Sequence, residues 1–218
     1  MKKTFFKILF LSVLVVSFTN CKDKAKEAAT TEAEEVAEIE VEAVKFNADV
    51  ASSTIEWKGF KPMGSHNGVI NLKSGVLNTI DGEIVGGTFL IDMASLTVLD
   101  IPAEEKDHAK LTGHLKSDDF FDVEKHPSAA FEITGLEEVD GKMMLSGNLA
   151  LKDAKNNVTF PVSVSNEGDT MTLTSETFTI DRSKWNVKYG SKSFFDNLGD
   201  KFINDDIELK IMVKASKA

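Results

Sequence analysis

From Phe46 onward apolar and polar residues alternate with a period of two, the pattern of strands that bury one face. Ile207, Leu209, Ile211 and Val213 alternate with Glu208, Lys210, Met212 and Lys214. Leu145, Gly147, Leu149 and Leu151 make a second run, and Val158, Phe160, Val162 and Val164 a third. Ile55/Trp57, Ile70/Leu72, Phe89/Ile91/Met93 and Phe131/Ile133 predict earlier strands, and Asp140-Gly141 and Glu167-Gly168-Asp169 supply hairpin turns. Pro161 inside a run predicts an edge position or a bulge. Parity slips between Met171/Leu173 and Phe178/Ile180, as one inserted residue near Ser175 requires. Eight or nine short-spaced strands in about 170 residues predict an all-β sandwich or barrel. A closed eight-stranded sheet either packs solid or holds one small ligand, and periodicity leaves both open.

One stretch breaks the pattern. Between Ala103 and Phe121, Leu111 and Leu115 fall at helical spacing after Pro102, with Glu104 and Glu105 in the first turn. Phe120-Phe121 follow at once, so the helix reads as a lid on an apolar interior or as a crossover packed outside a sandwich.

The first 45 residues lie outside the strand pattern. Lys2, Lys3 and Lys7 precede the apolar run Ile8–Phe18, too short to span a membrane and suited to a signal peptide over residues 1–20. The only cysteine, Cys21, sits where such a signal is cut, resembling a bacterial lipoprotein site at which cysteine is acylated and anchors the chain. Residues 21–45, rich in Ala, Thr and Glu without an apolar stripe, predict a lipidated, acidic, flexible tether, leaving 46–218 as the domain. This places the protein in the bacterial envelope, membrane-anchored and periplasm-facing.

Composition narrows the chemistry. The 218 residues carry a net charge of −10 with a single arginine, which argues against nucleic-acid binding. One cysteine excludes a disulfide framework. Fifteen Phe against two Trp and one Tyr suit a dry interior. The four histidines make no His-Glu-x-x-His pattern, and no Ser sits in a Gly-x-Ser-x-Gly elbow, so neither a metal nor catalysis is expected.

The helical stretch carries a recognisable motif. His114-Leu115-Lys116-Ser117-Asp118-Asp119-Phe120-Phe121-Asp122, followed by Pro127 and Phe131, resembles the signature of the YceI-like family of polyisoprenoid-binding proteins. Ser65-His66-Asn67-Gly68, Gly147-Asn148-Leu149-Ala150-Leu151, Val158-Thr159-Phe160-Pro161-Val162 and Ile180-Asp181-Arg182-Ser183 follow in the family's order. The resemblance implies a lipocalin-like, extended antiparallel eight-stranded barrel. It also implies a long-chain isoprenoid or isoprenoid-quinone ligand in an apolar lumen, carried or sequestered without cofactor or covalent chemistry. Ala150 and the Asp153–Asn157 turn depart from the family's pattern, and the Phe194–Asp200 segment is longer than its common form.

On that reading the inward face of the strands holds the ligand: Ile55, Trp57, Ile70, Leu72, Phe89, Ile91, Phe131, Ile133, Leu149, Phe160, Phe178, Ile180, Leu209 and Ile211. Arg182 shares parity with Ile180, so its guanidinium either meets a lipid head group or makes a structural ion pair with an acid of the Asp118-Asp119-Phe120 segment. His114 is a second candidate head-group contact at the helix end. The other reading is a solid barrel that presents Trp185, Tyr189, Phe194 and Phe195 on a loop to an envelope partner.

Overall fold

A computed structural model describes residues 25–36 and 42–218. The expected signal peptide and Cys21 lie outside the described residues. The strands are β1 (Lys26–Glu27), β2 (Ala29–Glu32), β3 (Val44–Ala48), β4 (Thr54–Lys61), β5 (Gly64–Ile80), β6 (Glu83–Val98), β7 (Ser128–Val139), β8 (Lys142–Leu151), β9 (Ala154–Glu167), β10 (Thr170–Ser175), β11 (Phe178–Asp181) and β12 (Asp206–Lys217). A single helix of the described residues longer than a 3-10 turn, α1 (Lys106–Lys116), connects β6 to β7.

The wall is an antiparallel ring of eight. β4 through β10 pair in sequence order, and β12 closes the circle between β10 and β4. Two of the eight positions are interrupted strands. β3 and β4 both lie on one side of β12, and β10 and β11 on the other. The break between β10 and β11 is where the parity slip falls: Thr174 pairs with Met212 and Phe178 with Leu209, four residues against three. The extra residue lets Ser175 Oγ accept the Ile211 N–H. Pro161, which has no N–H, stands just beyond the last β9–β10 pair, Val162 with Ser175.

The segment expected as a flexible tether is in part a piece of the wall. Because β10 stops at Ser175, the first half of β9 and the short β11 have no mutual partner, and β1 and β2 fill that seam. β1 pairs parallel with β11, Lys26 opposite Phe178, and β2 pairs antiparallel with β9, Ala29 opposite Thr159. Ala28 is buried in the core between them. The side chain of Asn148 clasps the chain just beyond: Oδ1 accepts the Glu34 N–H at 2.9 Å and Nδ2 donates to the Glu34 carbonyl at 2.7 Å. The sequence reading failed here because the unpaired edges that demand these strands belong to distant residues. A stretch of Ala, Thr and Glu carries no sign of them.

Core packing differs between the two ends of the barrel. At the end bearing the β8–β7 and β5–β6 hairpin turns, Phe131, Phe160 and Phe178 form a column, with Phe160 and Phe178 stacked at 4.2 Å and 4°. The Phe131 ring lies directly over Gly147, where any Cβ would collide with it. Leu72, Leu77, Phe89, Ile133, Leu145, Met171 and Leu173 pack around this column. That end is solid.

Candidate functional site

The other end is hollow. A cavity of about 150 Å³ lies between α1 and the strand ends, and its lining is almost wholly apolar. Ile55, Trp57, Ile70, Ile91, Leu149, Ile180 and Leu209 line it. The rest of the inward set, Leu72, Phe89, Phe131, Ile133, Phe160, Phe178 and Ile211, faces the interior as core outside the lining of this cavity. Period-two parity tells inside from outside but carries no information about height along the barrel.

Residues outside that set complete the chamber. Leu111, His114 and Leu115 project from α1, and Phe120 and Phe121 from the turn after it, so the helix roofs the cavity as a lid would. The roof has two polar ties to β6 and the turn it leads into: His108 Nε2 stands 3.1 Å from the Val98 carbonyl, and Lys116 Nζ donates to the Ala94 carbonyl. Met93 and Leu96 also line the cavity, although three residues apart on one strand. The pairing of β5 with β6 skips there, from Asn71–Asp92 to Val69–Thr97. Ala94 N–H bonds to Asp92 Oδ1, and Ser95 Oγ bonds both the Asp92 carbonyl and the Asn71 N–H, so a side-chain-stabilised bulge turns both Met93 and Leu96 inward. The Asp-x-x-Ser spacing was the signal in the sequence, and alternation hid it.

Trp57 lies across Gly68, whose Cβ would stand 2.8 Å from its indole. Its Nε1 is buried and has no hydrogen-bond acceptor among the described residues. Trp185, by contrast, is fully buried and donates Nε1 to the Leu149 carbonyl at 2.8 Å. It pins the turn after β11 to β8, which corrects its expected display on a loop.

Arg182 reaches the cavity but is already satisfied. Nε donates to the Asn204 carbonyl, Nη1 to Val187 and Nη2 to Ile203, while Asp205 Oδ1 stands 3.3 Å from Nη2. Its guanidinium lies over the Phe120 ring at 5.3 Å. Burial pushes its pKa down, opposed by Asp205 and Asp181. The structural ion pair is therefore the arrangement present, made with Asp205 and not with the 118–120 segment, and the guanidinium clamps the loop that follows β11. His114 sits edge-on to Tyr189 at 4.5 Å and to Phe120 at 5.7 Å, with Asp119 3.6 Å away.

The mouth is framed by the β4–β5 hairpin, the start of α1 and the loop 186–204. Phe60, Lys61 and His66 line the cavity here together with Ile203 and Asn204. The Asn204 N–H bonds to the Phe60 carbonyl, tying loop to hairpin. Asp100 receives His66 Nδ1 at 2.8 Å and the Asn67 N–H at 2.9 Å. Burial pushes the Asp100 carboxyl up, and these bonds together with the charge of His66 outweigh that and hold it below its ordinary value. Among the described residues no group of three His, Cys, Asp or Glu side chains is arranged to hold a metal.

An eight-stranded ring with a roofed apolar chamber is the architecture that the sequence motif implied, and the YceI-like domain matches residues 20–215. The chain belongs to the YceI-like family. That match begins well before Phe46 and takes in β1 and β2, as the wall requires. A UPF0312 protein of Vibrio campbellii is 30% identical over 133 residues, covering 57% of this YceI-like chain and 67% of its own. A UPF0312 protein of Vibrio vulnificus is 32% identical with the same coverage. Among solved structures, Burkholderia cenocepacia BcnA matches with a TM-score of 0.59 at 21% identity, covering 78% of this chain and 99% of its own. A polyisoprenoid binding domain from Saccharophagus degradans matches with a TM-score of 0.57 at 12% identity, covering 80% and 99%. At these identities the two structures share the YceI-like fold with this chain.

Proposed function

We propose that the protein binds a long-chain isoprenoid lipid, with its apolar chain in the cavity, as a carrier or sequestering protein of the bacterial envelope. The observation that carries this reading is a nearly all-apolar chamber inside a closed barrel, with Lys61 and His66 among the few polar residues that line it. Apolar chambers with a few polar groups at one end suit amphiphiles, each buried CH₂ contributing about 0.8 kcal/mol. The likeness to a polyisoprenoid binding domain supports the class of ligand. No covalent step is proposed.

The size of the chamber adds a condition. An apolar space of 150 Å³ holds roughly one benzene-sized group. A long chain therefore enters only if the roof moves, and α1, with its two polar ties to the wall and the turn beneath it, is the element suited to lift. A lipid oxygen brought to the depth of Trp57 would give its Nε1 the acceptor that it lacks.

Solvent extraction of the purified full chain followed by mass spectrometry tests the reading. Isoprenoid lipid is expected from the wild type. The double variant Ile91→Glu/Leu149→Glu is expected to be empty while keeping β circular dichroism. Leu111→Trp, which fills the chamber without adding charge, is expected to lose most of the lipid even if the double variant misfolds. A wild-type extract without lipid, or equal lipid in Leu111→Trp, overturns it and favours the solid interaction barrel.

A further inference from the structure

Five of the eleven large apolar side chains that the described residues leave in solvent fall on segments at one end of the barrel. Among the described residues, those well exposed are five valines and Met212 spread along the chain, plus Met63, Leu99, Tyr189, Phe194 and Phe195. All five of the latter lie on the hairpin, the turn after β6 and the loop that flank the mouth. Met63, 90% exposed, is at the tip of the β4–β5 hairpin, and Leu99, 60% exposed, adjoins the His66–Asp100 pair. Tyr189, Phe194 and Phe195 lie on loop 186–204, which Asn204 ties to the hairpin and Tyr189 ties to α1 through His114. A rim of this kind in water is unfavourable, and contiguous exposed apolar groups mark an interaction surface.

Cations are interleaved with these apolar tips. Lys58 Nζ lies 5.1 Å from the Phe60 ring centroid, Lys188 5.0 Å from Phe194, and Lys192 3.4 Å from Phe202. Residues 57–66 and 186–204 hold Lys58, Lys61, Lys188, Lys192 and Lys201 against only Asp196 and Asp200, in a chain whose net charge is −10. The hairpin and the loop thus make a positive, apolar patch on an otherwise acidic molecule, with Asp100, Glu104, Glu105 and Asp107 on the third side of the mouth, before and in the first turn of α1. Apolar tips with lysine stems beside them match the boundary of a bilayer, where rings sink among acyl chains and ammonium groups stay with the head groups. The excess of positive charge selects an anionic surface.

We infer that the mouth of the barrel docks on an anionic phospholipid bilayer, with Met63, Phe194 and Phe195 inserted and Lys188 and Lys192 among the head groups. This rests on the lipid-binding reading, because docking there aligns the chamber with the membrane and lets a lipid chain pass between them without crossing water.

Environment-sensitive labels test it. In a Cys21→Ser background the full chain has no cysteine, so Met63→Cys and Phe195→Cys report the rim and Val139→Cys reports the opposite end. With vesicles of phosphatidylcholine and phosphatidylglycerol, blue shifts are expected at 63 and 195 and none at 139. Vesicles of phosphatidylcholine alone should give much weaker shifts. Adding Lys188→Glu and Lys192→Glu should lower the partitioning read at the rim by roughly tenfold or more. No rim shift, or an equal shift at Val139→Cys, overturns the proposal. So do rim shifts that rise with protein concentration without vesicles, which would make the partner a second copy. Solvent extraction reads the chamber separately. A lipid-free protein that docks defeats the lipid-binding reading alone, and a lipid-loaded protein that does not dock defeats this one alone.

Discussion

Arg182 shows how much one side chain can organise. Three main-chain carbonyls, from Val187, Ile203 and Asn204, accept from its guanidinium, which pins both ends of loop 186–204. Removing it strands those carbonyls and Asp205 in a buried setting, so Arg182→Met should destabilise the protein by about 3 kcal/mol, measured by chemical denaturation. Arg182→Lys should recover little of this, since an ammonium does not reproduce the fork. An undiminished stability in Arg182→Met would show that the clamp is dispensable. Sequence parity had placed this residue at the inner face near a barrel end, and it is there. What parity lacked was the identity of its partners, which are backbone atoms of a loop with no regular pattern. Trp57 and Trp185 make the same point: both were visible as large apolar residues, yet only their hydrogen bonds distinguish a chamber wall from a structural pin.

Among the elements, the strands with a buried face were legible and those without one were not. β4 to β12 announce themselves through alternation, down to the inserted residue between β10 and β11. β1 and β2 make a few pairs each and bury little besides Ala28, so nothing in their own residues calls for a strand. Their stability is borrowed from the edges of β9 and β11. Ala28→Glu would place a carboxylate in that seam, and the prediction is a lower thermal midpoint with faster hydrogen exchange at the β9 and β11 amides. An unchanged exchange pattern there would mean that the seam strands are not holding the wall. α1 was readable as a lid because Leu111 and Leu115 share a face, although its extent, Lys106–Lys116, is shorter than the Ala103–Phe121 stretch.

For the molecule as a whole, packing separates a filled end from a hollow one. Pattern alone predicted an apolar inside but could not show that aromatic stacking fills one half of it, since stacking depends on registers such as Phe131 against Leu149. Acid should act on three turns, two of them, at Asp100 and Asp122, beside the hollow end. Asp49, Asp100 and Asp122 all have lowered carboxyl pKa values. Ser52 is the main cause for Asp49 and Lys125 for Asp122, while Asp100 is lowered by Asn67 and His66 against its burial. A carboxyl whose folded value lies below its unfolded value contributes stability above about pH 4, and this is lost as pH falls through the folded value. Stability from these groups should therefore be level from neutral pH to about 5 and decline below about 4, as thermal melts across pH would show. Asp100→Asn should flatten part of that decline.

The seam strands also set a height. β1 runs parallel to β11 toward the mouth, with Lys26 beside Phe178, four residues short of Arg182 at the rim, or about 13 Å. A free arm from Cys21 to Phe46 would let a barrel wander some 80 Å from its anchor. With Lys26 fixed in the wall, the span from Cys21 to Ala25 is at most about 14 Å. Because β1 runs toward the mouth, the chain enters the wall from the side of the filled end, and a lipid on Cys21 would stay close to the wall instead of reaching level with Met63 and Phe195. The arm would act as a short leash that keeps the barrel wall close to any anchor.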